Sequence, residues 1–214
     1  MPRHPERQKD KARALLKQRG MMRLSEFVAE GITAATISRL ENEGGLIQLA
    51  RGLYQLPDAP LDANHSLAET AKLVPRGVIC LDSALAFHGL TDRIPPRIWV
   101  AIGPKDWRPR IKKPPIVIVR FGAKIFDSGI GIYKIEEVDV RIYDAAKTIV
   151  DLFFEAFRGQ LLYGSITGVA QATRGMKEAL RLRKATPAEI GRYADRVGIW
   201  RKIQPYLEAL TVDA

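Results

Sequence analysis

Thr33, Ala34, Ala35, Thr36, Ser38 and Arg39 cluster as residue types suited to the edges of base pairs. Threonine and serine hydroxyls meet either donors or acceptors, an arginine fork matches guanine O6 and N7, and small alanines permit close approach. Arg51 follows in an Ala-Arg-Gly turn, where a cation reaches a phosphate or the narrow minor groove. Upstream, Arg3, Arg7, Lys9, Lys11, Arg13, Lys17, Arg19 and Arg23 make a basic approach. Lys17, Arg19 and Arg23 are the ones expected to neutralise phosphates.

Other residues invite different chemistry. His88 closes the stretch SALAFH, and a side chain that titrates near neutrality can act as a general acid or base. It has no second histidine nearby and no evident nucleophile, so a histidine bonding the last carbonyls of its helix is favoured. Lys147 and Asp151 stand one helical turn apart, beside Asp144 and Thr148. The Lys-Thr pair at a helix start looks like a phosphate loop but lacks the glycine-rich approach, so a structural or partner-facing polar edge is favoured. Trp107 stands with Arg108 and Arg110 in the basic, proline-rich segment 104–115. Its indole could stack on a base between phosphate clamps, or pack onto a sheet; both readings stand. Arg174, Lys177, Arg181, Arg183 and Lys184 form a basic helical face, either solvated or a second nucleic-acid surface. His4, His65 and the carboxylates show no metal-ligand spacing, so neither metal nor cofactor is expected.

Elements must hold these groups in place. A short apolar-periodic segment with Leu24, Phe27 and Val28 stops at Gly31. Thr33 then caps a second helix with Ile37 and Leu40 inward, ended by Gly44-Gly45. Strand-like runs 46–49 and 53–56 flank the turn at 50–52. Helix, turn, helix and hairpin make a winged helix-turn-helix, whose second helix enters the major groove; such units also serve as protein-packing modules. A first helix is expected over 6–19, with Gly20 at its end and Pro57-Asp58-Ala59-Pro60 as a linker after the wing.

Beyond the linker the pattern predicts a helix over 65–74 and a buried strand over 78–81. Asp82 or Ser83 then caps a helix ending near Gly89. Strands follow at 98–102, 116–121 and 124–126, with a hairpin at 130–135 and 137–143. Asp144 caps a helix over 145–157. Helices at 161–173 and 176–184, separated by Gly175, precede one that starts on Thr186-Pro187-Ala188-Glu189 and a last one interrupted or kinked at Pro205. The fold class expected is α+β: a winged helix-turn-helix over 1–57, then a mixed α/β domain with a helical C-terminal tail over 58–214.

The charge is distributed rather than confined to a tail. Residues 1–56 carry 10 basic and 6 acidic side chains, 57–120 carry 10 and 6, and 121–214 carry 14 and 12, within a net charge of +10. Both halves can therefore face a polyanion. Cys80, the sole cysteine, excludes an intrachain disulfide and a cysteine metal cluster, which suits a reducing cytoplasm. The N-terminus has no apolar leader and no run nears about 18 apolar residues, so a cytoplasmic chain without membrane contact is expected.

Three segments resemble a known family. They are the wing return ARGLYQL (50–56), LDSALAFHGL (81–90) and RIYDAAKTIVDLFF (141–154). With them, the chain resembles the AbiEi-type antitoxins, the transcriptional-regulator half of the AbiE abortive-infection type IV toxin–antitoxin systems, over about residues 10–210. The resemblance implies an N-terminal domain that binds inverted repeats in its own promoter and represses the operon. It implies a C-terminal domain that counters a nucleotidyltransferase-like toxin encoded alongside, without requiring a stable complex. A non-enzymatic repressor and antitoxin is therefore the expected function. The alternative is a nucleic-acid- or nucleotide-modifying enzyme targeted by the winged domain, with His88, Lys147 and Asp151 as first suspects.

Overall fold

The computed structural model describes residues 5–158 and 168–211. It is a mixed α and β structure in two compact units. Of the described residues, the first comprises 5–75, 111–114 and 133–140; the second comprises 76–110, 115–132, 141–158 and 168–211.

In the first unit, α1 (Pro5–Arg19) ends at Gly20, whose φ of +67° is open to glycine without strain. There follow β1 (Met21–Arg23), α2 (Leu24–Ala29), α3 (Ala34–Asn42), β2 (Ile47–Ala50) and β3 (Leu53–Gln55). The three strands form a sheet in the order β1-β3-β2, antiparallel throughout, with Met21 opposite Gln55 and Ile47 opposite the same residue on the other side. Strand β1 was not expected, because three residues are too short to show a period and the strand is defined only by its partner. Leu16, Phe27, Ile37, Leu40 and Leu46 bury together beneath these elements. Val28, expected on the inner face of α2, is 54% exposed, since that two-turn helix needs only Phe27 as its anchor.

The first unit continues past β3. Its helix α4 (His65–Leu73) packs on β1. Glu136 also belongs to it, and its side chain, 6% exposed, accepts from the Asp62 N–H at 2.6 Å and meets His65 Nδ1 at 2.8 Å.

In the second unit, β4 (Val78–Ile79) leads into α5 (Leu81–Phe87), then β5 (Ile98–Ile102), β6 (Ile116–Arg120) and α6 (Ala123–Phe126); of the next two strands, β7 (Ile130–Ile135) and β8 (Val138–Tyr143), residues 133–140 belong to the first unit. The five strands lie in the order β6-β5-β4-β8-β7, with β5 parallel to β6 and β4 parallel to β8. All five residues of β5 are buried, as a strand covered on both faces must be. Helices α7 (Ala145–Phe157), α8 (Val169–Arg181), α9 (Pro187–Arg196) and α10 (Trp200–Thr211) complete the unit, with α7 packed against α5, α8 and α9.

Several boundaries differ from expectation for physical reasons. Leu81 opens α5 instead of closing a strand, and Ser83 accepts the Trp99 N–H at 2.9 Å instead of capping the helix. Residues 123–126 are a helical turn rather than a strand, closed by bonds from Ile125 and Phe126 N–H to the Gly122 carbonyl. Helix α8 runs through Gly175 unbroken; a Cβ there would lie 2.8 Å from Leu85, so this glycine permits close helix packing and breaks nothing. The expected helix over 161–173 falls partly outside the described residues, which resume at 168. Helix α10 likewise continues past Pro205.

Candidate nucleic-acid interface

Helix α3 begins as its sequence requires. The Thr33 hydroxyl accepts the Thr36 N–H at 3.2 Å, closing the first turn. Its outer surface presents Thr33, Ala34, Ala35, Ser38 and Arg39, all exposed, while Ile37 and Leu40 are buried. Thr36 corrects the expectation: it is buried, and its hydroxyl donates to Gln8 Oε1 of α1 at 2.8 Å. A residue three positions after the cap lies almost one full turn on, so Thr36 faces α1 and not a groove. Gln8 also accepts the Thr33 N–H at 3.3 Å, a role that nothing in the linear pattern marked.

Most cations of α1 and its surroundings are already engaged. Lys9 pairs with Glu43 at 2.9 Å and Glu6 at 3.0 Å, tying the helix to the end of α3. Arg19 meets Glu30 at 2.7 Å and Lys11 meets it at 3.5 Å; the Arg19 hydrogen bond holds the Glu30 carboxyl below the usual carboxylate range. Arg13 lies 3.6 Å from Asp10. Arg23 is half-buried where α2 starts, its N–H donating to Glu26 at 2.6 Å. Lys17 is exposed. Arg39 and Arg51, like Arg7 and Lys17 of α1, have exposed side chains that make no hydrogen bond or ion pair among the described residues. Arg51 stands in the β2–β3 turn, which Gly52 closes at φ +71° while its carbonyl accepts the Leu24 N–H at 2.8 Å.

The remaining candidates separate. Lys147 and Asp151 are no partner-facing edge. Both are 1% exposed, and the ammonium sits 4.3 Å from the Tyr143 ring centroid. Consecutive turns of α7 put them on its inner side, beneath the sheet's aromatic residues. His88 caps the C-terminus of α5, and its Nε2 donates to the Tyr143 carbonyl at 2.7 Å. That carbonyl lies on β8, not on the histidine's own helix. Arg181 is exposed but gripped by Glu178 at 2.7 and 2.9 Å. Trp107 is 84% exposed with Arg108 and Arg110 beside it, so the indole does not pack onto the sheet.

A capped helix of small hydroxyl-bearing residues, an uncommitted arginine on it and another on an adjacent hairpin turn are what the first unit offers. The matching family bears on this same stretch. Residues 10–57 match the family model described as transcriptional regulator, AbiEi antitoxin. The AbiEi match runs from within α1 through β3, and so contains every exposed α3 residue and Arg51. That segment is therefore similar to a family of antitoxin transcriptional regulators. The fold is similar to that in the crystal structure of the RV2827C protein from Mycobacterium tuberculosis. That similarity has a TM-score of 0.60 at 13% identity over 96% of this chain and 78% of the other, and is one of fold alone. No curated protein matches the chain.

Proposed function

We propose that residues 5–57 act as a winged helix-turn-helix that binds an inverted-repeat operator in double-stranded DNA and represses its own operon. Helix α3 enters the major groove, with Thr33, Ala35, Ser38 and Arg39 at base edges and Arg51 on the wing. The observation that carries this is the pairing pattern of the cations. Lys9, Lys11, Arg13 and Arg19 of α1 meet carboxylates, whereas Arg39 and Arg51 are exposed and uncommitted on the two elements that would meet DNA, as are Arg7 and Lys17 on α1. Lys17 adds a phosphate contact, with Arg19 and Arg23 as weaker contributors.

The remainder of the chain acts as antitoxin against a nucleotidyltransferase-like toxin, without a stable complex; the AbiEi match and the segments 81–90 and 141–154 support this. The protein works in the cytoplasm and is not an enzyme. The residues first suspected of catalysis sit in other roles: Lys147 and Asp151 pair in the interior, and His88 bonds a backbone carbonyl. No helix among the described residues is long and apolar enough to cross a membrane.

Electrophoretic shifts on the chain's own upstream region test the DNA reading. Sequence-selective binding that Arg39→Ala/Arg51→Ala weakens by about tenfold or more supports it. Selective binding left intact by that pair overturns the assignment.

A further inference from the structure

Trp107 is 84% exposed, whereas Trp99 in the same unit is 4% exposed. An indole in water forgoes a large burial gain, and the loop carrying it is not slack. The Asp106 carboxylate, 7% exposed, accepts the Gly103 N–H at 2.8 Å and pairs with Arg76 at 3.0 Å. Arg120 Nη1 donates to the Gly103 and Pro104 carbonyls, each at 2.8 Å. A Cβ on Gly103 would fall 2.9 Å from Asp106 Oδ2, so the turn is closely built around that carboxylate. The indole is thus presented from a pinned base.

Its surroundings are cationic. Arg108 and Arg110 are exposed and make no ion pair among the described residues. A groove of about 440 Å³ runs along Trp107, Arg108, Arg110 and Arg120. A second, of about 300 Å³, shares Arg108 and Arg120 and continues to Phe154, Glu155 and Arg158, whose guanidinium lies 5.1 Å over the Phe154 ring and offsets the Glu155 charge. Asp106, the acid in the first groove, is already neutralised by Arg76.

We propose that these grooves bind single-stranded nucleic acid, an unpaired base stacking on Trp107 while Arg108, Arg110 and Arg120 take the flanking phosphates. Aromatic platforms beside a positive track are how unpaired strands are held, and a base inside a duplex cannot offer its face. A protein surface would seek apolar neighbours around the indole, whereas the exposed residues beside it are Pro104, Lys105, Arg108 and Arg110. This site is separate from α3 and the wing. RNA and single-stranded DNA present the same π-face and phosphate, so the two are distinguished by experiment.

The test uses the full chain carrying Arg39→Ala/Arg51→Ala, which removes the proposed operator contacts. Fluorescence anisotropy would follow labelled oligouridylate and oligothymidylate of about 12 nucleotides, a length that fits one such site. Unlabelled duplex of equal length serves as competitor. The expected result is salt-sensitive binding of one or both single strands, poor competition by duplex, and a weakening of about tenfold in Trp107→Ala with most affinity kept in Trp107→Phe. Absence of binding at low salt, equal competition by duplex, or unchanged affinity in Trp107→Ala would each overturn the site. Circular dichroism of Trp107→Ala confirms that the fold survives, as the exposure of the side chain requires.

Discussion

Lys147 Nζ lies 2.5 Å from both carboxylate oxygens of Asp151, and the two side chains are 1% and 2% exposed. Burial outweighs the lysine's attraction and raises the Asp151 carboxyl to about 6. The ammonium is further enclosed by the Tyr143 and Phe121 rings at 4.3 and 5.2 Å. Removing either partner alone strands the other charge in the interior, and Asp151→Asn or Lys147→Met is expected to cost about 3–5 kcal/mol. Replacing both, as Lys147→Met/Asp151→Leu, should restore stability to within about 1 kcal/mol of the original. Urea unfolding of the three variants checks this, and a double variant as damaged as the singles would contradict it.

The His88 imidazole should impose a pH dependence on stability. Burial lowers its pKa from the ordinary 6.5, against the opposing pull of the Tyr143 carbonyl. The folded state therefore holds the ring neutral while the unfolded chain takes up a proton below about 6.5, so the stabilisation is complete above that pH and is lost as pH falls through it. Compared with His88→Asn, which does not titrate, the parent's stability advantage should shrink between about pH 7.5 and pH 5. Chemical unfolding across that range measures the difference; a constant gap would contradict the assignment.

Two glycines with the same backbone sign should respond differently to alanine. Gly44 has φ +74° and open space around its missing Cβ, so Gly44→Ala carries only left-handed strain of about 1 kcal/mol. Gly20 has φ +67° and the Glu136 carbonyl oxygen 1.8 Å from where a Cβ would sit. Overpacking adds to strain there, and Gly20→Ala should cost about 3 kcal/mol or more. Thermal unfolding side by side would expose equal losses, which the geometry forbids.

Thr36 and Arg39, neighbours on α3, should separate stability from recognition. Thr36→Val abandons the bond to Gln8 and the contact with the Thr33 hydroxyl, at an expected cost of about 1–2 kcal/mol in folding. Arg39→Ala should change stability by less than about 0.5 kcal/mol while weakening operator binding about tenfold. Measuring unfolding and DNA affinity on both variants tests the division, which fails if Thr36→Val costs affinity without costing stability.

What the sequence by itself determined here is local. Caps at Thr33, Asp144 and Thr186, the stop at Gly20 and the β2–β3 turn follow from side-chain bonds and backbone freedom within a few residues, and each is legible in the sequence. So was the exposure of Ala35, Ser38 and Arg39, because Ile37 and Leu40 set the inward stripe of α3.

Tertiary structure alone decided what each polar residue was for. Thr36 looked like a base reader until Gln8, from another helix, took its hydroxyl. Lys147 and Asp151 read equally as a structural or a partner-facing polar edge, and only their burial beneath the aromatic residues decides for the former. Strand β1 existed only once β3 lay beside it, and Gly175 changed from a helix break to a packing contact once Leu85 was opposite. A charge's role depends on whether a distant carboxylate reaches it, so Arg19 was taken by Glu30 while Arg39 and Arg51 stayed available. Such partners lie far apart along the chain, and no window of sequence carries the distance between them.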